Sequence, residues 1–95
     1  MTSKETKKRA VDKQKNNLQG IHSLILHNDD VHSFDYVIRA LMEICNHNYE
    51  QAVQCTLITH HKGACAVRKG VKEELCKMKE ALRELELSTT IDMEP

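Results

Sequence analysis

Val71, Leu75, Met78, Leu82 and Leu85 follow one another at steps of four, three, four and three. That spacing predicts an α-helix with one narrow apolar seam, because residues three and four apart share a helix face. A helix with a single stripe must bury it against another element. The chain has 95 residues with one Phe, two Tyr and no Trp, so Leu, Ile, Val and Met have to build that partner surface. A chain this short is expected to form one domain with a small core and no large active-site cavity.

Upstream segments supply the partner. Ile21 to about His27 contains the run Leu24-Ile25-Leu26, expected as a strand that can be covered on both faces. Ser33 is a candidate N-cap, followed at helical spacing by Phe34, Val37, Ile38, Leu41, Met42 and Cys45, with an end near Asn46-His47. Asn48 starts a second helix with Gln51 in a capping-box position, and Gly63 stops it. Ala64 to Arg68, between two glycines, fits a second strand, and the β-branched Thr89-Thr90-Ile91 a third. The expected fold is α+β: a small three-stranded antiparallel sheet packed against three helices in the order β-α-α-β-α-β.

Charge divides the chain. Residues 1–20 carry six Lys/Arg against Glu5 and Asp12, whereas the remainder carries eight basic and twelve acidic residues. Residues 1–20 read as a flexible basic extension and 21–95 as the folded domain. The extension lacks interleaved aromatics, so a solvated arm is expected and not a nucleic-acid partner. No apolar stretch approaches the roughly 18 residues of a membrane span, so no membrane association is expected. Cys45, Cys55, Cys65 and Cys76 come without an export signal or a Cys-x-x-Cys pair. They read as reduced thiols on core faces of a cytoplasmic protein, not as nucleophiles or a disulfide framework. Six histidines and four cysteines form no Cys-x2-Cys or His-x3-His pair, so neither metal nor cofactor is expected.

The chemistry concentrates at His27-Asn28-Asp29-Asp30, where a strand end delivers an amide and two carboxylates just before a helix. Such residues often serve only as turns and caps. His60, ending the second helix, changes the reading if the fold returns it over Asn28 and Asp30. The three would then form an acceptor-rich hollow for a cationic, hydrogen-bond-donating ligand. His61 beside it is expected to do no more than meet the helix C-terminal dipole.

The blocks Leu26-His27-Asn28-Asp29-Asp30, Phe34-x-x-Val37-Ile38-x-x-Leu41, Glu50-Gln51-Ala52 and His60-His61-x-Gly63 resemble the ClpS adaptor family. These are small adaptors of the bacterial Clp AAA+ protease, and the resemblance covers about residues 21–87. It implies a non-enzymatic protein, expected as a monomer, that binds substrate N-termini (N-degrons) and docks on the N-terminal domain of a Clp-type unfoldase. By position, Asn28, Asp29, Asp30 and His60 would bind the α-amino group. Leu26, His32, Phe34, Val37, Thr56 and Thr59 would line the side-chain pocket. A neutral imidazole is needed to accept from the ammonium, so acidification should weaken binding. The family commonly has methionines at the positions of Phe34 and Thr56, so one pocket wall becomes an aromatic and another a small hydroxyl. Two alternatives follow: a regulatory module that docks on the unfoldase without taking N-degrons, and, more remotely, a small metal-binding or thiol-active protein.

Overall fold

In the computed structural model, residues 20–93 form three strands and three helices in the order β-α-α-β-α-β. The 1–20 extension lies, apart from Gly20, outside the described residues. The elements are β1 (His22–His27), α1 (Phe34–Ile44), α2 (Tyr49–Lys62), β2 (Ala64–Gly70), α3 (Lys72–Glu84) and β3 (Thr89–Met93). The sheet is antiparallel, as the sequence suggested, and strand β1 is central in it, paired with both β2 and β3.

Alternation along β1 sends Leu24 and Leu26 to one face, where both are fully buried, while Ile25 opposite them is half-buried. Helix α3 packs on all three strands, α2 on β2, and α1 on α2 and α3. Leu41, Leu75 and Leu82 meet Leu24 and Leu26 in one core. Burying a leucine is worth about 1.5–3 kcal/mol, so a handful of such residues anchors a domain this small.

Local signals set the helix ends. The Ser33 hydroxyl accepts from the Tyr36 N–H at 3.2 Å, and the Asn48 side chain accepts from the Gln51 N–H at 2.8 Å. Gly63 closes α2 in the left-handed region, φ 94°, with its N–H on the Thr59 carbonyl at 2.9 Å. The end of α3 is a Schellman turn: Leu87 N–H returns to the Leu82 carbonyl at 3.0 Å and Glu86 N–H to the Arg83 carbonyl at 2.8 Å. Glu86 takes the left-handed conformation there, and Leu82 and Leu87 are both buried.

A bulge in β2 ties the sheet to the helices. Leu24 pairs with Arg68 but Ile25 pairs with Ala66, so Val67 is the extra residue. Its carbonyl accepts from Nε2 of the buried His47 at 2.6 Å, and Arg68 donates to the Cys45 carbonyl at 3.0 Å. The α1–α2 turn is thereby held against β2.

Three expectations need correction. Val71 is not in the seam: it is the N-cap of α3, makes no side-chain capping bond and is 42% exposed. The core seam starts at Leu75. Cys76 is exposed, because it follows Leu75 and so lies about 100° around the helix from the buried stripe. Of the other cysteines, only Cys45 is fully buried; Cys55 and Cys65 are half-buried. Strands β2 and β3 run two residues beyond the expected ends, to Gly70 and Met93.

Candidate functional site

The end of β1 and the end of α2 are joined by one backbone bond. Asn28 N–H donates to the Gly63 carbonyl at 2.9 Å. His60 stands three residues before that carbonyl, so the loop after β1 and the last turn of α2 open onto the same hollow. Asn28, Asp29, Asp30 and His60 all line one cavity of about 180 Å³. Asn28, Asp30 and His60 are exposed, which places an amide, a carboxylate and an imidazole within reach of solvent there.

Asp29 has a different occupation. Its Oδ1 accepts from the N–H groups of Val31 at 2.8 Å and His32 at 3.0 Å, which folds the loop as an Asx turn. The His32 ring Nδ1 adds contacts of 3.2 and 3.1 Å to Oδ1 and Oδ2. Burial pushes the Asp29 carboxyl up, but the two backbone N–H groups and His32 outweigh it and hold the carboxyl below its ordinary value of 3.8. Asp29 is therefore an ionised loop-builder with its acceptor capacity largely used. The His32 ring is further steadied by stacking on Tyr36, centroids 4.7 Å apart, and the Tyr36 hydroxyl donates to the Leu85 carbonyl at 2.9 Å.

The expected side-chain pocket residues Leu26, His32, Phe34, Val37, Thr56 and Thr59 line this same cavity. Leu26 comes from the core end of β1 and is buried. Phe34, the first residue of α1, turns its ring edge-on to His60, with centroids 5.1 Å apart and planes at 71°. Thr56 and Thr59 sit on α2 beneath it, 3% and 5% exposed. Their hydroxyls donate to the carbonyls of Ala52 at 2.8 Å and Cys55 at 2.7 Å. The cavity thus joins a polar mouth to a wall of three apolar side chains, Leu26, Phe34 and Val37, and three polar ones, His32, Thr56 and Thr59.

His27 and Leu87 also line it, and sequence reasoning assigned neither. His27 Nε2 lies 2.8 Å from the Thr90 hydroxyl, across the ladder to β3. Leu87 arrives through the Schellman turn; the only sequence trace was its place just past the α3 seam. Among the described residues, no three His, Cys, Asp or Glu side chains converge as a metal-ligand set. Among them, too, no helix is long and apolar enough to cross a membrane.

The family model described as ATP-dependent Clp protease adaptor protein ClpS matches residues 17–90, which contain every residue of the cavity. The chain belongs to the ClpS family. Curated ClpS adapter proteins from Campylobacter jejuni, strain 81-176 and subspecies doylei strain ATCC BAA-1458 among them, are 46% identical to it over 44 residues. That match takes in 46% of this chain and 46% of each relative, so the chain spans about half the length of the curated ClpS proteins it matches. The ClpS fold is shared with Agrobacterium tumefaciens ClpS2 bound to L-phenylalaninamide. The TM-score is 0.76 at 16% identity, over 80% of this chain and 99% of that one.

Proposed function

We propose that this ClpS-family chain is a non-enzymatic adaptor that binds the N-termini of substrate proteins and delivers them to a Clp-type AAA+ unfoldase. One observation carries the reading: Asn28, Asp30 and His60, exposed side chains from two distant segments, share a cavity with the apolar groups Leu26, Phe34 and Val37. A protein N-terminus has the matching pair of groups. Its α-ammonium has three N–H donors and a charge, suited to an Asp30 carboxylate, an Asn28 amide oxygen and a neutral His60 nitrogen. Its first side chain enters the apolar part. Leu26 and Val37 offer burial worth roughly 0.8 kcal/mol per methylene, which separates a bulky first residue from alanine. Phenylalaninamide, the ligand of the Agrobacterium relative, has the same two groups, an α-amine and a bulky side chain.

The role of Asp29 in this scheme is to build the loop that presents Asn28 and Asp30. The partner is the N-terminal domain of the unfoldase, the adaptor acts as a monomer in the cytoplasm, and the basic 1–20 segment is the part presented to the translocation pore. Tethering is the whole contribution: it raises the substrate's effective concentration at the protease. Fluorescence anisotropy with peptides beginning in Leu, Phe, Tyr, Trp or Ala tests the reading. Bulky-first peptides bind and their Nα-acetylated forms do not; the reading fails if acetylation leaves binding unchanged, or if no peptide binds better than about 1 mM.

A further inference from the structure

The walls of the cavity are not uniformly greasy, and the polar ones share a property. Thr56 and Thr59 have each committed their single hydroxyl proton to a helix carbonyl, at 2.8 and 2.7 Å. A hydroxyl so engaged has only lone pairs left to offer. His32 lines the same cavity with its Nδ1 held against the Asp29 carboxylate at 3.1 Å. A carboxylate accepts and does not donate, so Nδ1 carries a proton that is already committed to Asp29. Thr56 and Thr59 are therefore cavity-lining acceptors without a proton to give, set among Leu26, Phe34 and Val37.

We infer that this cavity selects a first residue whose side chain ends in a hydrogen-bond donor, tyrosine ahead of phenylalanine. The inference rests on the N-terminus reading above and adds its selectivity. The whole cavity, its polar mouth included, holds about 180 Å³, and engineered cavities of about 150 Å³ accept benzene, so a single ring is on its scale. A ring seated in the cavity shuts the Thr56 and Thr59 oxygens off from any donor other than the ring's own substituent. Phenylalanine returns nothing to them, and a buried acceptor left without a donor is penalised. A tyrosine hydroxyl donates its proton to the Thr56 or Thr59 oxygen and removes that penalty. A site that hydrogen-bonds a substrate group discriminates against the analogue lacking it more strongly than a purely apolar pocket can. One neutral hydrogen bond corresponds to roughly a three- to tenfold preference.

The test compares two peptides that differ only in a first residue of Tyr or Phe, titrated by anisotropy against the full chain, against the Thr56→Val/Thr59→Val double variant and against Thr56→Ser. Tyr binds about three- to tenfold tighter than Phe to the unchanged chain. That ratio falls to near one in the double variant and persists in Thr56→Ser, which keeps the hydroxyl. The ratio is read within each protein, so a loss of stability common to both peptides does not imitate the effect. Equal or tighter binding of Phe by the unchanged chain overturns the inference, as does an undiminished ratio in the double variant. Absence of binding by both peptides overturns the N-terminus reading beneath it, a result distinct from equal binding.

Discussion

The N–H of Asn28 lies 2.9 Å from the carbonyl of Gly63, and this bond brings the loop after β1 to the last turn of α2. It sets the spacing between the acidic corner and His60. The carbonyl points correctly because Gly63 holds φ 94°, a left-handed geometry that a residue with a Cβ adopts at a cost.

Gly63→Ala tests that dependence. A Cβ at this position meets nothing within 4 Å, so the penalty is backbone strain alone, about 1–2 kcal/mol. For a domain of this size the expected fall in Tm is roughly 4–16 °C by thermal denaturation. Peptide affinity falls with it if α2 relieves the strain by shifting its last turn.

Asp30→Ala removes the exposed carboxylate without touching the loop's internal bonds. A charge-assisted hydrogen bond is worth about 1.5–3 kcal/mol, so peptide Kd rises roughly 10- to 150-fold while Tm changes little. Calorimetric titration beside a melting curve separates the two effects.

Asp29 gives a pH dependence whose sign is set by its lowered pKa. A carboxyl more acidic in the folded state stabilises the loop above its unfolded pKa and loses that contribution as pH falls through the folded value. The Asx turn therefore holds at neutral pH and opens only below the ordinary 3.8. Amide shifts of Val31 and His32 followed by NMR should titrate together in that acidic range; a midpoint above 3.8 contradicts the assignment.

Val71 and Leu82 separate exposed from buried apolar positions on α3. Leu82 is fully buried, and Leu82→Ala should cost about 2–5 kcal/mol. Val71 is an uncapped N-cap, so Val71→Asp should stabilise by about 0.5–2 kcal/mol, whereas a core residue would unfold the domain. Urea denaturation of both variants checks the opposite signs.

Thiol labelling should follow exposure and acidity. Burial pushes Cys45 up to about 11, and burial with the neighbouring Cys65 pushes Cys55 up to about 12. Only the thiolate reacts, so the exposed Cys76 should label first with an alkylating reagent, with Cys45 and Cys55 far behind. Peptide mass spectrometry over a time course reads the order.

The features legible in the sequence were those with local causes. Ser33 and Asn48 start helices and Gly63 ends one through groups within a few residues, and the Leu75-Met78-Leu82 spacing needs no partner to be read. The element order, and the ten residues expected at the site, follow from such signals together with the family resemblance. What stayed hidden depends on contacts across the fold. Val71 continues the seam's spacing, and periodicity cannot distinguish a cap from a first turn. The Val67 bulge exists only in the register of β2 against β1. Asp29 looked like its neighbour Asp30 until the turn of the loop aimed it back at His32. Leu87 entered the cavity only once the α3 terminus had curled.

Leu87 has two jobs at once: its N–H closes α3 and it lines the cavity shared with Asn28, Asp30 and His60. Adding or deleting a single residue in the Leu85–Ser88 turn would withdraw that side chain or drive it deeper, changing the depth of the cavity. The dimensions of the cavity can therefore be altered by editing a connector remote from Asn28, Asp30 and His60, leaving those three side chains in place.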